Sequence, residues 1–415
     1  MGEGLLRALN GNRLEYLDSI RGIGAAQVLV LHFFTALAPS LVSTNVEDRG
    51  VGIYIHASPL AFLYDGSSAV FLFFVLSGYV LTEAYRAKIL VTPPGRIIAA
   101  RATRLGIPAV ASVVFAALVF AFFRGHNSEA GEVVGSAWFR DLWHPELSVH
   151  AILRDAFVNS LLLAYQGLEP INSIAPSLQQ NFSQAFNAPL WTLSIELYGS
   201  ALILLLCWTH CFQRRLWPIL VSVLLAFFVR SSFLPFLIGH LLAVAGWGKS
   251  KPSLPGWVAW ALIAIGVGLC ISSPFGPLNV VKAACGWDTH ILAPCHSAYH
   301  YQKTLGAIII FVGVIQLRQL RTRLEAPALR WLGKMSFPLY LVHWPILFGP
   351  TAGFFVLTYE SIGVPAAQVL SIAVGIVLTV VAAMLFRWVD NRSTDVAGLV
   401  QTSNSRRPGA GASEA

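Results

Sequence analysis

Charge is what this chain has least of. Only 12% of its 415 residues are Asp, Glu, Lys or Arg, against about 25% in a soluble domain. With 56% hydrophobic residues and a mean hydropathy of +0.65, an ordinary soluble enzyme is excluded and an integral membrane protein with many spans is expected. Cysteine is sparse, with five residues, and none has metal-ligand spacing, so no metal site is expected. Cys207 and Cys211 sit at the end of an expected helix and read as structural. Cys285 and Cys295 share one long loop, where a disulfide and two free thiols are equally open. There is no basic stripe. The net charge of +8 comes from residues that punctuate apolar runs, so nucleic acid is not an expected partner. No small-residue cleavage site follows the first apolar run, and no cleavable signal peptide is expected. There is also no internal repeat and no second soluble domain.

Apolar runs dominate what is present. Ten spans are expected, near 18–41, 59–84, 105–123, 190–212, 217–230, 232–247, 257–273, 304–318, 331–349 and 366–388. The fold class is therefore all-α, a polytopic bundle of about ten transmembrane helices. The fifth and sixth runs are short and closely joined, which also suits a re-entrant pair. The apolar stretch at 155–168 is too short to span and suits an interfacial position. With the N-terminus inside, 21 of the 28 Lys and Arg fall on cytoplasmic segments, as the positive-inside rule requires. An even number of spans puts the C-terminus there too. The chain divides into a cytoplasmic segment at 1–13, a membrane domain at 14–390 and a Ser/Gly/Pro-rich tail at 391–415 with the composition of a disordered segment. Two long outer loops, 124–189 and 273–303, are large enough to bind a substrate or lid a site. The second carries His290, His296 and His300.

Five stretches carry residues with chemistry. In 14–42, Arg21 and His32 are eleven positions apart, which on a helix is about 16 Å of rise and nearly the same face. Asp18 stands at the same entrance. An ionisable side chain inside a span marks function by default, and a neutral imidazole is the natural general base near pH 7. In 65–82, the apolar run holds Ser77, Gly78 and Tyr79, where glycine admits either a packed helix or a ligand. In 86–104, Arg101 and Arg104 at a helix start suit phosphate as well as plain positive-inside charge. In 187–200, Glu196 lies two turns inside a span and needs a proton or a partner; Trp191 and Ser194 decorate the same end. In 332–350, His343 is a second intramembrane histidine, read as a substrate contact or as a structural hydrogen-bond donor.

Taken in order, these stretches resemble the acyltransferase-3 family of membrane acyltransferases, over residues 14–390. The family's opening arginine and histidine, ten residues between them, match Arg21 and His32. Its second-helix motif resembles Phe73-Phe74-Val75-Leu76-Ser77-Gly78-Tyr79. Its arginine pair matches Arg101 and Arg104, its tryptophan-to-glutamate motif resembles 190–196, and its late glycine-serine-histidine segment resembles 332–343. Ile195-Glu196-Leu197 departs from the family's frequent VEEQ, and LGIPA follows Arg104 where RIYP is common.

The resemblance implies acyl transfer, often of acetyl, from cytoplasmic acyl-coenzyme A to a hydroxyl of a glycan, glycolipid or glycosylated metabolite. Acyl-coenzyme A enters as co-substrate, with no tightly bound cofactor. The resemblance assigns His32 as base or acyl carrier with Arg21 and Glu196, and Arg101, Arg104, Ser77, Gly78 and Tyr79 to the donor. Asp18, Trp191, Ser194 and His343 remain for the acceptor. Ten spans with an intramembrane histidine and glutamate also suit a proton-coupled transporter, a reading that the lack of inverted repeats disfavours.

Overall fold

The structure, a computed structural model, describes residues 15–42, 51–56, 58–166, 176–248, 254–271 and 298–402. Helix makes up 85% of it and no strand occurs among the described residues. The helices used below are α1 (Glu15–Leu37), α2 (Gly66–Lys88), α3 (Pro94–Phe123), α4 (His126–Val134), α5 (Ala137–Asp141), α6 (Val149–Arg154), α7 (Trp191–Phe212), α8 (Trp217–Phe228), α9 (Leu234–Val244), α10 (Gly256–Cys270), α11 (Ala298–Gln316), α12 (Arg318–Leu324), α13 (Pro327–Ile346), α14 (Ala352–Ile362) and α15 (Val364–Thr402).

Among the described residues, six helical segments are long and apolar enough to cross a membrane: α1, α2, α3, Ala188–Phe212, Pro327–Ile362 and α15. The residues 300–324 of α11 and α12 form one further candidate, bent by 97°. The remaining three expected spans coincide with the shorter apolar helices α8, α9 and α10. At 12 and 11 residues, α8 and α9 each rise only about 17 Å, little more than half the hydrocarbon thickness. They turn into one another at Ser231 and Ser232, as the short paired runs in the sequence suggested.

Several boundaries differ from expectation, α3 starting at Pro94 and the ninth span running on to Ile362 among them, and two of the differences have a visible cause. The second span begins at Gly66, because Pro59–Tyr64 forms a tighter 3₁₀ turn and Asp65 caps the helix by accepting from the Ser68 N–H at 3.3 Å. The last helix continues through residues 391–402, which the sequence assigned to the tail. The Lys88 ammonium donates to Gln401 there at 3.3 Å, and Arg104 holds Asp390 further up. Residues 403–415 and the Cys285–Cys295 loop, with His290 and His296, lie outside the described residues.

Backbone contact at small residues locks the bundle, as packing in lipid requires. A Cβ on Gly22 of α1 would lie 2.5 Å from the Gly333 nitrogen of α13, and one on Gly78 of α2 would lie 2.7 Å from Phe236 Cα of α9. Prolines inside spans leave carbonyls without their helical donor, and side chains repair this. Pro345 releases the Leu341 carbonyl, which then accepts from Ser112 at 2.7 Å and Asn187 at 2.8 Å.

The described part of the long loop after α3 folds as a cap. Trp143 is fully buried and its indole N–H donates to the Phe186 carbonyl at 2.8 Å. The stretch expected at the interface, 155–168, contains the π-helical segment Asp155–Leu163. It buries Asp155, which accepts the Phe186 N–H at 3.0 Å. Burial pushes that carboxyl up to about 6, against the hydrogen bonds that hold it down.

On the same side as the cap end of α2, Lys303 donates to Asp65 at 2.7 Å and to the Cys270 carbonyl at 2.6 Å, with the two side chains only 4% and 7% exposed. Breaking such a pair strands a buried charge. Lys303→Ala is expected to cost roughly 3–5 kcal/mol, read as a lowered thermal midpoint of the detergent-solubilised protein. A midpoint equal to the parent's contradicts this role.

Candidate active site

Two parallel helices build the centre of the site. Gly22 meets Gly333, and ten residues further along each helix His32 meets His343, the same 311 positions apart. Constant offset means that α1 and α13 run in the same direction and in register. The glycine contact sets their spacing, so the two imidazoles arrive about 15 Å further along at bonding distance. His32 Nδ1 lies 2.9 Å from His343 Nε2, and the rings are parallel within 6°. His343 is 1% exposed, whereas His32 is half-buried. Trp138, from α5 of the cap, stacks on His32 with centroids 5.7 Å apart, and Trp344 meets it edge-on at 5.4 Å. The Ser136 hydroxyl pins α5 to α1 by donating to the Thr35 carbonyl at 2.7 Å.

Below this pair lies a cavity of about 810 Å³. Five cations face it, namely Arg21, Arg101, Arg104, Lys334 and Arg387, together with the acids Asp18, Glu196, Asp390 and Asp395. Phe73, Phe74 and Phe337 supply apolar wall. The starts of α1, α3 and α13 and the end of α15 meet here, so both ends of the described chain lie on one side of the bundle. Tyr340 and Thr192 also line it. Their hydroxyls are 2.6 Å apart, and Tyr340 also donates to the Pro189 carbonyl. Tyr340 is one helical turn below His343, about 4.5 Å of rise.

Of the twelve residues singled out in the sequence, Asp18, Arg21, Ser77, Arg101, Arg104 and Glu196 line this cavity, and His32 and His343 form the pair above it. Asp18 and Arg21 pair at 3.7 Å. Arg101 donates to Glu196 at 2.8 Å and to Ser200 at 3.0 Å, while Ser77 donates to the other Glu196 oxygen at 2.7 Å. Arg104 pairs with Asp390 at 2.6 Å and lies over the Phe337 ring. The two arginines read as a phosphate pair thus hold carboxylates here, for a simple reason: a guanidinium in a low-dielectric cavity needs a counter-charge.

Four candidates sit elsewhere. Gly78 packs on the Phe236 backbone. Tyr79 is buried on the opposite face and donates to the Trp247 carbonyl at 2.6 Å. Trp191 packs among apolar side chains. Ser194 accepts the Ala164 N–H and donates to the Ser160 carbonyl, both at 3.1 Å. Lys334, Arg387, Asp390, Tyr340 and Trp138 escaped the sequence reading. The first three resemble ordinary charges at span ends, although an acid at Asp390 among basic residues was a usable signal. Among the described residues, no cluster of three or more His, Cys, Asp or Glu could hold a metal ion.

Among the described residues the protein is all-helical, with several helices long and apolar enough to cross a membrane and an imidazole pair above a cavity of mixed charge. The chain belongs to the acyltransferase-3 family, whose acyltransferase-domain model matches residues 14–388, and it is an integral membrane acyltransferase. No curated protein and no solved structure matches it.

The Gly22 contact is testable. Gly22→Ala drives a Cβ into the α13 backbone, and overpacking of this kind costs roughly 1–3 kcal/mol. The thermal midpoint is expected to fall, whereas Gly268→Ala, whose Cβ meets nothing within 4 Å, leaves it unchanged or raised. Equal midpoints for the two variants contradict the close-packed α1–α13 pair.

Proposed function

We propose that this protein transfers an acyl group, acetyl in the expected case, from cytoplasmic acyl-coenzyme A to a hydroxyl of a carbohydrate-bearing acceptor. The observation that carries this is the cationic cavity ending one helical turn below the His32–His343 pair. The charge bias of the loops supports placing that cavity on the cytoplasmic side, with an even number of crossings and both termini inside. Coenzyme A is anionic, and Arg21, Arg101, Arg104, Lys334 and Arg387 are the groups to receive its phosphates. Its arm rises past Phe73 and Phe337, and the thioester passes Tyr340 and Thr192 to reach His32.

The acceptor enters beneath the cap, beside Trp138. His32 takes the proton of its hydroxyl while the oxygen attacks the thioester carbonyl. The tetrahedral adduct then expels the coenzyme A thiolate, which recovers the proton from His32. The products are an ester and free coenzyme A. Burial under Trp138 and Trp344 keeps water from competing for the thioester. A two-step route through acyl-His32 uses the same groups and is distinguished by an acyl adduct on His32 when acceptor is withheld.

The reading is tested by mass spectrometry of glycans and lipids from cells with the active protein and with His32→Ala. A species that loses the acyl mass only in the variant names the acceptor. With that acceptor and acetyl-coenzyme A, His32→Ala is expected to lose roughly 10²- to 10⁴-fold in rate, the worth of a general base, while the thermal midpoint holds. Full activity in that variant overturns the assignment.

The donor site is tested separately. Removing a charged hydrogen-bond donor costs roughly 1.5–3 kcal/mol, so Arg104→Ala is expected to raise the KM for acyl-coenzyme A at least about tenfold with the acceptor KM unchanged. An unchanged donor KM makes Arg104 a charge of topology alone.

A further inference from the structure

The hydrogen bonds of His343 fix the place of its ring proton. Its Nδ1 lies 2.8 Å from the Tyr340 carbonyl and 3.3 Å from the Leu339 carbonyl. A carbonyl oxygen only accepts, so Nδ1 carries the hydrogen. Apart from these carbonyls, the partner of His343 is His32, and among the described residues no carboxylate reaches it. An imidazolium in so buried a place without a counter-ion costs several kcal/mol, which makes the ring neutral. A neutral ring with its hydrogen on Nδ1 presents a lone pair at Nε2. The atom facing that lone pair at 2.9 Å is His32 Nδ1, and it must donate.

We propose that His343 is a positioning residue that holds His32 in the Nδ1–H tautomer, leaving Nε2 of His32 as the atom that takes the acceptor's proton. The chain of donors runs from His32 through His343 to the backbone of α13, so the helix itself sets the tautomer. This rests on the acyl-transfer reading above and adds the reactive atom. The step balances as follows. The hydroxyl proton moves to His32 Nε2, the new C–O bond forms, the C–S bond breaks, and the thiolate takes the proton back from Nε2. Between those moments the His32 cation keeps its Nδ1–H on the His343 lone pair. A base held by a third group is the general logic of nucleophile activation; here a neutral imidazole fills the place usually taken by a carboxylate. Without an acceptor at 343, the Nε2–H tautomer of His32 competes, and that form cannot take the acceptor's proton at Nε2.

Two substitutions separate this from a packing role. Glutamine places an amide oxygen near the position of Nε2, whereas phenylalanine keeps the ring and removes the acceptor. H343F is expected to lower kcat at least about tenfold, and as far as the roughly 10⁴-fold loss that a wrong tautomer causes elsewhere, with the donor KM unchanged. H343Q is expected to recover most of that loss. Wild-type kcat in H343F overturns the proposal, as does an equal loss in both variants at an unchanged thermal midpoint.

Nitrogen-15 NMR of histidine-labelled, unsubstituted protein, with the His32 signals identified by their loss in H32Q, reads the tautomer with no turnover and no position-343 variant. A protonated Nδ1 on His32 supports the proposal, and a protonated Nε2 overturns it. Inactivity of the wild-type protein toward acyl-coenzyme A would instead sink the functional reading and leave the tautomer result standing.

Discussion

The close approach of α1 and α13 at Gly22 and Gly333 is the contact on which the rest depends. Lipid tails are as apolar as leucine, so helices in a bilayer gain little by hiding apolar surface from one another. What holds them is dense contact, and two glycines give the densest backbone approach. Because α1 and α13 are parallel, one contact fixes a whole series of pairs at constant offset. His32 and His343 are the members of that series that carry chemistry. Parallel neighbours cannot be joined by a short turn, and some 290 residues lie between the two helices. The described ones among them, together with the end of α15, supply the other walls of the cavity, and they include the cap that brings Trp138 over His32.

Electrostatics sets the second constraint. Five cations around one cavity would repel one another in a medium of low dielectric constant. Glu196 and Asp390 relieve this by pairing with Arg101 and Arg104. A phosphate that engages either arginine must displace or share its carboxylate. On the proposed reading, donor affinity is then a difference between two ion-pair arrangements, and releasing Glu196 also loosens Ser77, which is bonded to it.

Local geometry made much of this legible in the sequence. Arg21 and His32 lie on one helix, so their spacing alone placed them on one face, and the charge bias gave that face a direction. Glu196 announced itself by its cost inside an apolar run. Ser77, Gly78 and Tyr79 show where adjacency misleads. Successive helical residues are about 100° apart, so Ser77 faces the cavity, Gly78 faces α9 and Tyr79 faces Trp247. His343 could be seen as buried, but its partner, 311 positions away, could not. Trp138 lies in a short cap helix with no periodic signal. Asp390 sat at a drawn boundary, and its pairing with Arg104, together with the Lys88 contact to Gln401, holds the last helix where it runs on to Thr402.

The central claim is that the charged cavity and the histidine pair are the two ends of one site. A structure of the protein with a non-hydrolysable acyl-coenzyme A analogue bound measures this most directly. The account predicts phosphates against the cavity arginines and the carbonyl carbon of the acyl group about 3–3.5 Å from an acceptor oxygen held at His32 Nε2, the separation of a near-attack geometry. An analogue bound with its acyl end on the cavity side of Tyr340, or outside the cavity altogether, would contradict it.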